Sequence, residues 1–580
     1  MTKNIEKILS LAVALTVSAG WSAEASSFAP LEGAEWITVE SGSLPIYKDY
    51  LSVFRLGFRL DRAPGNSASV LFGLDDPRLM DRNKNVYGLA NRPGESYLRL
   101  SVDGDSIRIF RRGYGLEERE ERELAAFPVD NFRNEADSIE VAVNYGHVDV
   151  FVNGKKAGYV GVNPLGNGGD YIAFPVLGKV AVEIPEGSQA VVSDITVSNF
   201  REPRNVIARL GANDQPQGVN RQGMTCLEMP ERSMPEFRGV VTVDPLKKIA
   251  KATANCTAIG IYDLYVGGER VNEEYFLPGS TQYNKTHLYH TFDLTECLRS
   301  GDNDVLVRMG EGWWSGPSTF VGENWNFFGD RHAFKADITV EYTDGSVDRI
   351  VTSPDSWEYS VDGPLKVGSF FQGEIFDARL MEGMSAGSAD AERTWRKGVI
   401  LPPGETVAPV SGGWDSVNLR PTFGDRVLAV DTITAVAMTE PRPGVYVYDM
   451  GQNMAAVPLL TFDGLKRGQD VDIRHAEVLY PDMPQYAANT GMVMTENLRA
   501  AMCADKYIAA GEGRETFSPR HTLHGYRYLE VTGLDRPLPL EAVKSIPVSS
   551  VHGFKAHFEC SDSLVNRLWE NIKWSTMSNF

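Results

Sequence analysis

A mainly β protein of three tandem sandwich or jelly-roll units is the fold class this sequence predicts, and three observations predict it. Apolar and polar residues alternate over most of the chain, the two-residue period of a half-buried strand. Asp103-Gly104, Asn153-Gly154 and Asp344-Gly345 separate such runs, and these pairs supply the positive φ angles of tight hairpins. Aromatic residues are 10% of the chain, a composition that favours strands. At 580 residues the chain is also too long for one hydrophobic core.

Residues 1–25 read as a signal peptide. Lys3 and Lys7 precede an apolar stretch from Ile8 to Val17, and Ala23-Glu24-Ala25 has the small-x-small pattern of a cleavage site. Cleavage near Ala25 implies a secreted or periplasmic product. A short membrane anchor is the alternative, but the stretch is short for a span, and no other segment approaches that length.

Residues 26–200 form the first unit. Leu98, Leu100 and Val102 alternate, Asp103-Gly104 turns, and Ile107 and Ile109 return. Ile139, Val141 and Val143, then Val148, Val150 and Val152, repeat the pattern before Asn153-Gly154. Residues 201–224 are polar and rich in Gly, Asn and Gln, the composition of a linker. Residues 225–385 form a second β unit. Tyr262, Leu264 and Val266 share one strand face there, as do Val305, Val307 and Met309, and Ala336, Ile338, Val340 and Tyr342. Residues 386–548 form a third, with Val445 to Tyr448, Val471 and Ile473, and Tyr526 and Tyr528.

Residues 549–580 change character. Ser561 can cap a helix in which Leu564, Leu568 and Ile572 recur at four-residue spacing, flanked by Val565 and Trp569. So apolar a face needs a partner: the sandwiches, or the rest of a helical domain.

Composition and motifs exclude several functions. A formal net charge of −20 argues against tracking a nucleic-acid backbone and suits a neutral or small polar ligand, although acidity also serves solubility. The five cysteines, Cys226, Cys256, Cys297, Cys503 and Cys560, hold no C-x-x-C pair, so neither a zinc ribbon nor a redox dithiol is encoded. They allow one or two disulfides or free thiols. Gly310, Gly312 and Gly316 follow a strand, but Pro317 and aromatics stand where a phosphate-binding helix would start. Asp81, Asn83 and Asn85 imitate a calcium loop, but Val86 and Arg92 replace its glycine and glutamate. No cofactor is expected, and the metal question stays open. Among 77 carboxylates no catalytic pair stands out. What remains is Trp313, Trp314, Trp325 and Asn326, as aromatic faces and an amide suited to sugar rings and hydroxyls, or as core plugs.

Several motifs carry a resemblance. They are Gly260-Ile261-Tyr262-Asp263-Leu264-Tyr265-Val266-Gly267-Gly268, Pro278-Gly279-Ser280-Thr281-Gln282-Tyr283, Tyr289-His290-Thr291-Phe292-Asp293-Leu294-Thr295, Gly310-Glu311-Gly312-Trp313-Trp314-Ser315-Gly316 and Gly373-Glu374-Ile375-Phe376-Asp377-Ala378-Arg379. In this order they resemble the N-terminal domain of the bacterial α-L-rhamnosidases, glycoside hydrolase family 78. Tyr448-Asp449-Met450-Gly451-Gln452-Asn453, Arg474-His475-Ala476-Glu477-Val478-Leu479, Asp505-Lys506-Tyr507 and His524-Gly525-Tyr526-Arg527-Tyr528 resemble that family's next, concanavalin-like sandwich. Phe558-Glu559-Cys560-Ser561-Asp562, Leu564, Asn566-Arg567-Leu568 and Asn579-Phe580 look like its entrance into an (α/α)6 barrel. The first unit is similar, more loosely, to a concanavalin-like jelly roll.

The resemblance implies inverting hydrolysis of terminal α-L-rhamnosyl residues on rhamnose-containing oligo- or polysaccharides. That reaction needs two carboxyl groups about 6.5–9.5 Å apart, one donating a proton and one activating water. In the family both lie in the barrel, so no position here inherits a catalytic role. The expectation is a chain truncated before its catalytic domain and inactive alone. The alternative is a secreted carbohydrate-binding protein without catalysis.

Overall fold

The computed structural model describes residues 29–75, 96–113, 120–162, 176–202, 204–211, 218–317, 325–381, 393–403, 412–487, 489–498 and 501–580. The signal-peptide stretch and the Asp81 to Asn85 turn lie outside them.

The first unit is a sandwich of two antiparallel sheets, six strands each among the described residues. Strand Val53–Arg62 sends Phe54, Leu56, Phe58 and Leu60 inward at every second position. Phe54 meets Phe72 of the opposite sheet edge-on at 5.9 Å. The runs at Leu98 to Val102 and Val148 to Val152 are buried as the alternation requires. Residues 201–224 differ from the linker expected of them. Val206–Arg209 pairs with Ala190–Ser198, and Gly223–Leu227 pairs with Lys179–Ile184. Both are edge strands, and a polar composition does not separate a wet edge strand from a loop.

Among the described residues, the second unit stacks a seven-stranded sheet on a six-stranded one. Its central strands, Glu236–Val243, Ile249–Ile259, Ile261–Val266, Gly301–Gly310 and Ala333–Tyr342, bury Phe237, Tyr262, Phe334 and Trp357 in a core continuous with that of the first unit. Chain segments cross the boundaries read from sequence. Ile37–Thr38, from within the first unit as read from sequence, lies between strand Ala333–Tyr342 and strand Val399–Ile400 of this sheet. Asn418–Pro421 joins the same sheet beside Thr286–Asp293. In return Gly373–Asp377 pairs with Ala504–Ile508 of the third unit. The first sandwich is therefore inserted within the second. Its two connecting segments are joined by paired backbone hydrogen bonds between Ile46 and Arg232, of 3.0 and 2.9 Å.

Among the described residues, the third unit is one eleven-stranded sheet wrapped round its own core. The long strand Val445–Asp463 makes the corner. Its first half runs between Ala437–Arg442 and His524–Thr532, its second between Arg514–Phe517 and Val543–Ser549. Pairing with His524–Thr532 crosses a register break between Asp449 and Met454, where Gly451 has φ 75°, and the change of partner follows at Ala456.

Asp562, not Ser561, caps the C-terminal helix Ser563–Asn579, its Oδ1 accepting from the Leu564 N–H at 2.8 Å. One face packs Trp574 on the third core, and the Ser549 hydroxyl and Ser550 N–H donate to the Phe580 carbonyl. Leu564, Leu568 and Ile572 face outward and stay exposed. No helix among the described residues is long and apolar enough to cross a membrane. All five cysteines are unpaired thiols.

Candidate functional site

The sequence singled out Trp313, Trp314, Trp325 and Asn326. They sit on one excursion after strand Gly301–Gly310, but they do not converge. Trp314 is buried among Tyr283, Phe328 and Trp414, and its indole N–H donates to the Arg331 carbonyl at 3.1 Å. Trp325 is buried between units, against Tyr50 at 5.3 Å and Tyr145 at 6.0 Å of the first sandwich. Asn326 ties the base of the excursion, its side-chain oxygen accepting from the Gly316 N–H at 2.7 Å. Of the three tryptophans only Trp313 reaches solvent, 37% exposed, with Phe370 at 4.7 Å and the buried Phe276 at 6.4 Å. These three rings form an aromatic patch open at Trp313, the kind of face that stacks on a sugar ring.

Behind the excursion, between the first and second units, lies a small, mostly apolar cavity of about 70 Å³. Glu311 lines it, and the Tyr50 hydroxyl donates to its carboxylate at 2.6 Å. Burial pushes the Glu311 carboxyl up to about 7, although Tyr50 and Ser369 hydrogen-bond to it. The Ser315 hydroxyl and the His332 ring nitrogen Nε2 are 2.7 Å apart, and burial holds His332 down to about 3, so this imidazole is neutral. Gly316 has φ 66°, and a Cβ there would stand 2.0 Å from Glu311 Oε2. The glycine is what lets the chain fold over the carboxyl.

A larger cleft of about 260 Å³ opens beside this cavity, between the first and third units. Tyr47 and Tyr50 form one wall, and Asp470, Asp472, Arg474 and Lys506 the other. Lys506 bridges Asp472 at 2.8 Å and Asp470 at 3.4 Å. Burial alone would lower its ammonium, but Asp472 and Asp470 more than offset this and raise it. Arg474 is committed to the buried Glu530. The cleft thus offers aromatic surface beside carboxylates that can accept from hydroxyl groups, which suits a polyhydroxylated ligand better than an anion. Sequence reading missed it because its walls come from residues more than four hundred positions apart. The one local signal was Asp470-Val471-Asp472, two carboxylates that a strand must send to the same face.

Comparison with known proteins agrees with this architecture. Residues 247–411 match the alpha-L-rhamnosidase N-terminal domain, and residues 439–550 match the bacterial alpha-L-rhamnosidase concanavalin-like domain. An alpha-L-rhamnosidase of Streptomyces avermitilis is 34% identical over 339 residues, covering 58% of this chain and 30% of that protein. One from Formosa agariphila is 30% identical over 337 residues, covering 57% of this chain and 34% of that protein. The matched part thus spans about a third of the length of these curated relatives. Among solved structures, Streptomyces avermitilis alpha-L-rhamnosidase complexed with L-rhamnose shares the fold over 97% of this chain and 49% of its own, with a TM-score of 0.55 and 23% identity. The alpha-L-rhamnosidase from Dictyoglumus thermophilum does so over 90% and 48%, with a TM-score of 0.51 and 21% identity. The chain therefore carries, in the same order and on the shared architecture, matches to the two sandwich domains of the bacterial alpha-L-rhamnosidases, the N-terminal domain and the concanavalin-like domain.

Proposed function

We propose that the protein serves the hydrolysis of terminal α-L-rhamnosyl residues from glycans outside the cytoplasm, and that the sandwiches described here hold and present the glycan without supplying the acids that cleave it. The ordered match to the two rhamnosidase sandwich domains carries this reading. Inverting cleavage needs one carboxyl to protonate the leaving oxygen and another, across the sugar, to activate water. The matched motif residues do structural work instead. Asp263 clamps Arg520, and Asp449 clamps Arg527. Glu374 accepts from the Arg520 and His521 backbone N–H groups.

The purified 580-residue chain, assayed on p-nitrophenyl α-L-rhamnopyranoside, is expected to release no more nitrophenol than buffer. Turnover that disappears when a carboxylate upstream of position 560 is replaced would overturn the reading. A second reading, a carbohydrate-binding protein with no part in cleavage, is favoured by the open Trp313–Phe370–Phe276 patch. Glycan-array binding that shows no preference for rhamnose-containing glycans would support it over the first.

A further inference from the structure

The third unit holds a buried cluster that its packing alone does not satisfy. His475, Asp505 and His524 are all fully or almost fully buried, and one ligand atom from each lies within 4.8 Å of the others. The two imidazoles stack with centroids 4.1 Å apart. Asp505 Oδ1 is well served: it accepts from the Glu374 N–H at 2.8 Å and lies 3.0 Å from His524 Nε2. Asp505 Oδ2, His475 Nε2 and His524 Nδ1 have no hydrogen-bond partner.

The tautomer of His475 sharpens the conflict. Its Nδ1 lies 3.0 Å from the Cys503 carbonyl, which can only accept, so Nδ1 carries the proton. In the neutral ring Nε2 then presents a lone pair, and it faces Asp505 Oδ2 at 3.4 Å. Two buried acceptors face each other, which is unfavourable unless something positive lies between them. The distance indicates what that is. An N–H···O bond spans about 2.7–3.2 Å, so 3.4 Å is long for a proton bridge. Two ligand atoms of a tetrahedral ion, each bound at about 2.1 Å, stand about 3.4 Å apart.

We propose that His475, Asp505 and His524 bind a zinc-class divalent ion, with a water as the fourth ligand. Two imidazoles and a carboxylate are a donor set for such an ion, whereas calcium or magnesium needs six or more oxygens. His475 is next to last in strand Asp470–Ala476, Asp505 is second in strand Ala504–Ile508, and His524 begins strand His524–Thr532. The ion therefore staples three neighbouring strands at one end of the third unit. Binding requires the stacked rings to splay, so that both lone pairs reach one centre. Access is through the cleft between the first and third units, whose inner wall includes Asp505.

The test uses the whole chain. It is stripped with a chelator, reloaded with Zn²⁺ or Co²⁺ and desalted. Metal is counted by plasma mass spectrometry, and Co²⁺ geometry is read from its visible absorption. The expected result is one ion per chain with the intense bands of tetrahedral Co²⁺, and a higher melting temperature when loaded. His524→Gln and Asp505→Asn should lose the stoichiometric ion. Should these variants fail to fold, the wild-type titration decides the matter. Sub-stoichiometric metal in the wild type, octahedral Co²⁺, or equal loading of a folded His524→Gln would overturn the proposal and leave a proton as the occupant.

Discussion

Glu311 shows how much one buried carboxyl governs at the residue level. Its ordinary value of 4.5 rises to about 7 in the folded protein, because burial penalises the anion more than Tyr50 and Ser369 can repay. A raised folded-state value means that the native state holds its proton more tightly than the unfolded chain does. The stability this contributes is complete below about pH 4.5, falls as pH rises, and is gone above about pH 7. The change amounts to about 3 kcal/mol over that window. Glu311→Gln keeps an acceptor for Tyr50 and cannot ionise. Its melting temperature should lose the component of the decline between pH 5 and 7 that the wild type shows. Arg520 gives the opposite sign. Its guanidinium meets Asp263 with two bonds of 3.1 and 3.0 Å and lies 3.6 Å over the Tyr275 ring. Burial would raise the Asp263 carboxyl, but Arg520 outweighs burial and holds it down to about 2. This pair's contribution is present above pH 4 and lost only as pH falls towards 2. Arg520→Ala leaves a buried, uncompensated carboxylate and should cost about 3–5 kcal/mol in chemical denaturation at neutral pH.

Among the elements, alternation was legible wherever one face of a strand meets a core, as at Leu98 to Val102 or Val148 to Val152. The reason is steric: successive side chains leave opposite faces, so burial writes a two-residue period. Strands covered on both faces read less well. In Ile261–Val266 even Asp263 is buried, held by Arg520 from the next unit. Edge strands such as Val206–Arg209 were illegible because they are short, and the two adjacent buried residues Ile207 and Ala208 show no alternation. The short strand Ile37–Thr38 was illegible because its partner Phe334 is nearly three hundred residues away. The helix was readable from its four-residue spacing, with its cap misplaced by one position. Asp562→Ala should weaken the last element by about 1 kcal/mol. The loss should appear as faster hydrogen exchange in residues 563–566, with the sandwiches unaffected.

Over the whole molecule, the four residues chosen from sequence were chosen for chemistry that burial then redistributed. Trp314 and Trp325 went into packing, Asn326 into closing a loop, and Trp313 to the surface. Tyr47, Asp470 and Lys506 could not be grouped in advance, because only the docking of the first unit on the third brings them to one cleft. Trp325 bears directly on that docking, since it fills the seam between the first and second sandwiches. Trp325→Ala should cost about 3–5 kcal/mol and split one calorimetric transition into two as the first sandwich melts independently.

The paired segments at Ile46 and Arg232 have a mechanical consequence. A module hung on a single flexible string can swivel, and can be clipped off or swapped by one cut. This guest is held by two cords that are themselves zipped together, so twisting it must first tear hydrogen bonds and a shared core. Any graft of a foreign module at this position would have to splice both cords at once and match their spacing. A single fusion point would leave the host sheet without the strand that threads through it.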